Sequence, residues 1–316
     1  LHPVAHSFPT RRSSDLPCET DAVGFAYRKD WFENPDEQAA FKETYGRELA
    51  VPETWAEFRD VAEFFTRPED NMYGCALLTG RGYDSLVMGF QQVMWTYGGS
   101  WGDRETYKVD GHVNSEAAVE ALTMFKDLLQ FAPKGGESYA YGDCLEAFNN
   151  GSVAMAMDYF AFFPSIDKEM NSGDEQKAGF MMVPRHEERW VSLGGQGMSI
   201  STKIPAMRQD EAKKFIAWFL QRQVQEKWIT KPAGFTAHTD VLASEEFKEA
   251  TPYNEAFAGS LDHMKDFWNE PPYNELLTAA AKFLGEALDG KKTPQEALDA
   301  IAEKHALIFR DAGLTD

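Results

Sequence analysis

Side chains suited to hydrogen bonding and ring stacking follow one predicted strand of this chain. The apolar run Ser152–Met157 comes after an Asn-Asn-Gly turn and predicts a buried strand. Asp158, Tyr159 and Phe160 come directly after that run. Ligands of open α/β sheets bind beyond the carboxyl ends of the strands. A carboxylate and aromatic rings at this position therefore suit a polyhydroxylated ligand.

Two further aromatic groups lie in turn-rich segments. Trp95 precedes a Gly-Gly turn, and Trp268 and Tyr273 stand on either side of two consecutive prolines. An aromatic face stacked on the C–H face of a sugar is worth about 2 kcal/mol. Core packing is the alternative for each ring taken singly. Three such groups in turn positions predict that some of the rings line a cleft.

The glycine-rich run Gly194–Gly197 contains Gly195 and Gln196. It lacks the Walker lysine and the Rossmann spacing, so a phosphate loop is not indicated. A flexible crossing between two lobes explains the glycines better, because hinges concentrate backbone change in a few residues. Gln196 supplies an amide to such a crossing.

Composition and charge exclude several function classes. The 316 residues are 43% hydrophobic with a net charge of −20, which argues against nucleic acid and anionic membranes as partners. The three cysteines are far apart, and the seven histidines show no metal-ligand spacing. No nucleophile or paired-carboxylate signature stands out. We therefore predict no metal, no cofactor and no enzyme activity, and we expect a monomer.

Alternating strand and helix patterns predict an α/β fold. Thr54 with Glu57, and Thr293 with Glu296, have the spacing of capping boxes. Ser115 is a predicted cap of another helix. The pattern also predicts one long helix over Gln209–Trp228 and another over Tyr273–Leu288. In the first of these we expect a buried set of apolar side chains, namely Phe215, Ile216, Trp218 and Phe219.

The first residues of the chain have an unusual sequence. His6–Leu16 reads HSFPTRRSSDL, which resembles a translated sequencing adapter. We expect residues 1–16 to be an artefactual, disordered start and native sequence to begin near Pro17. On this interpretation a signal peptide was lost by truncation.

From Ala22 onwards the chain resembles the family 1 extracellular solute-binding proteins of ABC transporters, the maltose-binding-protein-like group. Seven blocks occur in the family's order: GFAYRKDWFEN, VPETWAEF, WTYGGSW, CLEAFNNGSVAMAMDYFAFFP, GGQGMSIS, GFTAHTDVLASEEF and GKKTPQEALDAIAEK. Each block is weakly specific by itself. Seven blocks in order are a strong resemblance.

The resemblance implies a type II periplasmic binding protein, with two α/β lobes, hinge strands and an incomplete first lobe. Residues 17–27 and 194–250 would be the remnant of lobe 1, and residues 28–193 and 251–316 would form lobe 2. Matching blocks imply Asp158, Tyr159, Phe160, Gly195 and Gln196 as ligand contacts. His238 and Tyr273 are implied by position in the later blocks, and the aromatic analysis adds Trp95 and Trp268.

These features together predict a binding protein that captures a neutral sugar or oligosaccharide in the cleft between its lobes. Its partners would be a carbohydrate and the membrane subunits of an ABC permease, in the periplasm or at the outer face of the membrane. A secreted carbohydrate-active enzyme is one alternative. A binding protein for a polyamine or glycerol phosphate is another, and acidic residues in the cleft would favour a polyamine.

Overall fold

The computed structural model describes residues 16–173 and 175–315, which form a mixed α/β structure built on one six-stranded sheet. The strands are β1 (Leu16–Arg28), β2 (Tyr73–Ala76), β3 (Val153–Tyr159), β4 (Ala178–Met182), β5 (Val191–Met198) and β6 (Met264–Lys265). The helices are α1 (Lys29–Phe32), α2 (Pro35–Tyr45), α3 (Trp55–Phe64), α4 (Ser85–Thr96), α5 (Glu116–Leu128), α6 (Tyr141–Asn149), α7 (Phe163–Met170), α8 (Ala206–Phe219), α9 (Arg222–Trp228), α10 (Thr239–Leu242), α11 (Glu245–Glu249), α12 (Asn254–Ser260), α13 (Tyr273–Leu288) and α14 (Pro294–Asp311).

Strand β1 is the centre of the sheet. Its second half pairs antiparallel with β3 along one edge and with β4 along the other. Its first half pairs antiparallel with β5 instead. Strand β2 extends the sheet beyond β3 in the parallel sense, and β6 extends it beyond β5. One strand therefore connects two differently paired parts of the sheet.

Helix α4 fills the middle of the core, and every one of its residues is buried. Its apolar residues surround the whole helix, as is typical of a helix enclosed by protein. Two of its buried polar side chains, Gln91 and Thr96, have hydrogen-bond partners on other parts of the chain. Gln91 donates to Ser192 Oγ at 2.6 Å and accepts from Trp101 Nε1 at 3.0 Å. Thr96 Oγ1 accepts from Trp55 Nε1 at 2.9 Å.

The predicted helix caps are confirmed. Both expected capping boxes are present, with Thr54 and Glu57 at the start of α3 and Thr293 and Glu296 at the start of α14. Ser115 accepts from the backbone of α5. Helix α13 has the predicted bounds, Tyr273–Leu288.

Two expectations about the elements were wrong. Asp158 and Tyr159 do not follow the strand but are its last two residues, because pairing with β1 continues as far as Val23 and Tyr159. The predicted helix Gln209–Trp228 is divided into α8 and α9. Phe215 and Trp218 of α8 are 54% and 51% exposed rather than buried.

Residues 1–15 of the adapter-like segment lie outside the described residues, and Leu16 begins β1. Cys18, Cys75 and Cys144 are buried and unpaired by disulfides. Within the described ranges, none of the helices is long and apolar enough to cross a membrane.

We predict that Gly74→Ala destabilises the chain. A Cβ atom at this position of β2 would lie 2.0 Å from the carbonyl oxygen of Ala62 in α3, which is backbone and cannot rotate away. We expect the free energy of unfolding in urea to fall by about 3 kcal/mol. Gly142→Ala is the matched control, because a Cβ there meets open space at an exposed helical position. Equal stability of the two variants would contradict this packing argument.

Candidate functional site

A cleft of about 950 Å³ opens at the carboxyl end of β3, beside the first half of β1. Three chain regions form its walls: the strands β1, β3 and β5, the residues around the start of α4 and α6, and the segment leading into α13. Its lining residues are Glu19, Asp21, Tyr83, Asp84, Met88, Tyr141, Tyr159, Ala161, Phe162, Leu193, Gly194, Gly195, Gln196, Asp266, Asn269, Glu270, Pro271, Tyr273 and Asn274.

Strand pairing sets the positions of the side chains on the first wall. Glu19 lies opposite Gln196, and Asp21 lies opposite Gly194. Alternate residues of a strand share a face, so both carboxylates of β1 belong to the same side of the sheet. Gly194 allows the Tyr159 ring to lie against the β5 backbone, because a Cβ there would be 2.4 Å from Tyr159 Cε1.

Hydrogen bonds fix the second wall. Tyr141 donates from its hydroxyl to Asp84 at 2.6 Å, and its ring stacks on Phe162 with centroids 5.5 Å apart. Phe162 is 44% exposed, so much of this ring is available to a ligand. The second wall therefore combines a fixed carboxylate with aromatic surface. On the first wall, the hydroxyl of Tyr159 lies 3.3 Å from Ser192 Oγ.

The third wall comes from the residues between β6 and α13. Asp266 accepts from the Phe267 backbone N–H at 2.7 Å, and its carboxylate is also hydrogen-bonded to the Asn269 side chain. Tyr273, the first residue of α13, packs edge-on against Phe267 at 5.6 Å. Amide, carboxylate and phenol groups thus lie together on this wall.

The cleft is acidic. Five of its lining residues are carboxylic acids, and none of its described lining residues is Lys, Arg or His. Burial raises the pKa of Glu19 and Asp84, and it raises the pKa of Asp266 to about 6. Burial also raises the pKa of Asp21, although the N–H groups of Ala22 and Ala161 donate to its carboxylate and oppose the shift.

Four of the nine residues predicted as ligand contacts line this cleft: Tyr159, Gly195, Gln196 and Tyr273. They come from β3, β5 and α13, which are distant in sequence. Their role in binding stays a prediction.

Three others from the predicted blocks lie outside the cleft. Asp158 is completely buried, and its Oδ2 has no hydrogen-bond partner among the described residues. Phe160 is buried and packs edge-on against Phe163 at 5.2 Å. His238 donates from Nε2 to the carbonyl of Leu220 at 2.7 Å, which satisfies a backbone group just after α8.

Trp95 and Trp268 lie together, but away from the cleft. Both line a second cavity of about 430 Å³, which also includes Arg104 and Lys265. Trp268 is packed edge-on against Phe309 at 4.9 Å and is buried. This second cavity shares Asp266 and Asn269 with the wall of the cleft.

Sequence reasoning missed several of the lining groups. Glu19, Asp21 and Asp84 were not among the predicted contacts, and neither were Tyr141 and Phe162. Two signals were available. Asp84 directly precedes the apolar run of α4, and Tyr141 stands at the start of the helix before β3. No local pattern in the sequence marks the carboxylates of β1 as cleft residues.

The arrangement suits a ligand rich in hydroxyl groups. Carboxylates and amides exchange hydrogen bonds with hydroxyls, and exposed rings cover the apolar faces of a sugar. No group of three or more His, Cys, Asp or Glu side chains with the geometry of a metal site occurs within the described ranges. The lining of the cleft is therefore suited to a small polar molecule.

Comparison with known proteins gives one family and several similar folds. The family described as bacterial extracellular solute-binding protein matches residues 3–226. A mannitol-binding protein of Pseudomonas aeruginosa is 22% identical, with the match covering 94% of this chain and 70% of that protein.

Among solved structures, the maltose-bound MalE3 protein of T. maritima has a TM-score of 0.77 at 23% identity, covering 93% of this chain and 72% of that one. An ABC transporter solute-binding protein of Thermotoga lettingae bound with α-D-tagatose has a TM-score of 0.78 at 21% identity, with the same coverage of both chains. These neighbours establish the fold as the type II periplasmic binding architecture.

We predict that Asp158→Asn makes the chain more stable at alkaline pH. Burial raises the pKa of the Asp158 carboxyl well above its ordinary value, and the nearby Asp21 raises it further. Because the folded chain binds this proton more tightly than the unfolded chain, stability falls as pH rises from about 4 through the folded pKa. The amide keeps an acceptor for the Tyr159 N–H, which Oδ1 accepts at 2.8 Å, and cannot ionise.

The measurement is the melting temperature as a function of pH. We expect Asp158→Asn to gain about 2 °C or more above that pH window and little below it. Asp262→Asn is the control, since it removes one exposed carboxylate without touching the core. A parallel downward shift of the whole profile by Asp158→Asn would contradict the prediction.

Proposed function

This chain belongs to the bacterial extracellular solute-binding proteins, and we propose that it binds a sugar or sugar alcohol in the acidic, ring-lined cleft. The bound solute would be passed to an ABC permease, at the outer face of the cytoplasmic membrane or in the periplasm. We propose that the chain does this as a monomer, without a cofactor and without a nucleic acid partner.

The observation that carries this proposal is the composition of the cleft walls. Exposed Phe162 and the rings of Tyr83, Tyr141 and Tyr273 surround carboxylates and the amides of Gln196, Asn269 and Asn274. The mannitol-binding relative and the neighbours bound to maltose and tagatose take ligands of the same polyhydroxylated class.

Ligand-driven closure is the mechanism that we propose. Strand β1 changes pairing partner between Ala22 and Gly24, from β5 to β4, which is where a hinge between two lobes would lie. One lobe would then hold residues 17–22 and 194–250 and the other residues 23–193 and 251–316, which moves the boundary expected after residue 27 to this change of partner. The rings of Phe235 in the first lobe and Phe257 in the second are in contact, with their centroids 4.5 Å apart. A solute that contacts both lobes favours the closed state.

Binding without catalysis is favoured over a carbohydrate-active enzyme by the position of Asp158. Asp158, the carboxylate at the end of the predicted strand, would be a candidate catalytic acid of such an enzyme, yet its side chain is fully buried and does not line the cleft. The matched family and the structural neighbours are binding proteins.

We predict that Phe162→Ala weakens sugar binding. Loss of one stacking surface should lower the affinity about tenfold or more. The measurement is isothermal titration calorimetry with mannitol, maltose, ribitol and tagatose. Phe215→Ala is the matched control, because it removes an equally exposed phenylalanine from α8, which does not line the cleft.

Two results would contradict the proposal. One is saturable binding whose affinity is equal in Phe162→Ala, Phe215→Ala and the unaltered chain. The other is turnover of an aryl glycoside that disappears in Asp158→Asn, which would indicate an enzyme.

A further inference from the structure

The titratable acids and bases of the cleft are one-sided. The described part of its wall contributes five carboxyl groups from three separate chain regions and no Lys, Arg or His, and a carboxylate that ionises there only accepts hydrogen bonds. Hydroxyl groups of an ordinary sugar both donate and accept. An ammonium group has three donors and no acceptor, so it matches such a wall more closely than a hydroxyl does.

The described residues supply no counter-charge inside the cleft. The charge of Arg104 lowers the pKa of Asp266, but Arg104 lines the second cavity and not the cleft. Its guanidinium group donates to the backbone carbonyls of Asp266 and Phe267, not to the carboxylate. Lys265 lies over the Trp190 ring, with Nζ 3.4 Å from the ring centroid, and it too lines the second cavity. Arg104 and Lys265 therefore make their contacts outside the cleft.

The carboxylates differ in how far the protein already satisfies them. Asp21 accepts from two backbone N–H groups, and Asp84 accepts from the Tyr141 hydroxyl. The Glu19 carboxylate has no ion pair or hydrogen bond within residues 16–173 and 175–315, although it is only partly exposed. Burial raises its pKa, as expected for a carboxylate that lacks a cation. Of these three carboxylates, Glu19 is therefore the one that a positively charged ligand would stabilise most.

We infer that the solute of this cleft is a sugar or sugar alcohol that carries a basic nitrogen, with its ammonium group held by the cleft carboxylates. The inference rests on the proposed sugar-binding function and specifies its ligand class. The ring surfaces and amides recognise the hydroxylated carbon chain, and Glu19 recognises the charge. A simple polyamine would leave the amides of Asn269 and Asn274 without hydroxyls to bind and Phe162 without the C–H face of a sugar to cover.

The test compares ligands that differ in a single group. D-glucitol, D-glucamine and D-gluconate share a carbon chain and end in a hydroxyl, an ammonium and a carboxylate. D-glucose, D-glucosamine and N-acetyl-D-glucosamine form a ring series with a neutral amide as control. We expect the amine to bind about tenfold or more tightly than the neutral member of at least one series, and gluconate to bind most weakly.

Glu19→Gln should remove most of the preference for the amine, measured as the ratio of the affinities of the amine and the neutral member within one series. Glu303→Gln is the matched control, because it lowers the net negative charge equally from an exposed position on α14. We expect it to leave the preference unchanged. An equal effect of both variants would show a general charge effect and overturn the inference.

Failure of the inference and failure of the proposed function give different results. The inference is overturned if the neutral members bind as tightly as the amines, if the amines of both series do not bind, or if putrescine binds as tightly as the amino sugars. Binding of any neutral sugar leaves the proposed function standing. If no carbohydrate of either kind binds, both proposals are wrong.

Discussion

The structure depends on the pairing of β1 with two sets of partners. A single strand of thirteen residues forms the centre of the sheet in its second half and carries Glu19 and Asp21 over the cleft in its first half. The backbone hydrogen bonds of one half of β1 therefore hold the core, and those of the other half orient two of the cleft carboxylates. Burial of Val23, Phe25 and Ala26 fixes the register of this strand, since a shift of one residue would turn every side chain to the opposite face.

Close approach of backbone and rings adds a second constraint. Gly24 lies under the Phe160 ring, and Gly194 lies under the Tyr159 ring, in each case with room only for hydrogen. The two rings are close in sequence yet serve different ends. Phe160 fills the core beside Phe163, while Tyr159 faces the cleft. Because Gly24 and Gly194 have no side chain, the Phe160 and Tyr159 rings can lie directly against the strand backbone.

Local signals in the sequence were sufficient for much of the fold. The caps Thr54, Ser115 and Thr293 each satisfy backbone N–H groups of the next few residues, so their spacing is enough to locate a helix start. The end of β3 was less accessible to prediction. Its last two residues are in the strand because of pairing with β1, which lies more than a hundred residues earlier.

The cleft was predictable only in part for the same reason. Tyr159 ends β3, Gly195 and Gln196 belong to a glycine-rich run inside β5, and Tyr273 begins α13 directly after two prolines, all of which the sequence marks. The carboxylates of β1 line the cleft because β1 pairs with β5. No residue close to them in sequence indicates this long-range pairing. Helix α8 shows the converse case, since the apolar spacing of Phe215 and Trp218 is that of a buried face although both are exposed.

The complete enclosure of α4 has a consequence for motion. A helix with no solvent face cannot tilt or slide without opening voids on several sides, and protein interiors resist such voids strongly. Asp84, the N-cap of this helix, and Met88 line the cleft, and we expect both to keep their positions when a solute binds. Amide hydrogens of this helix should be among the last in the chain to exchange with deuterium.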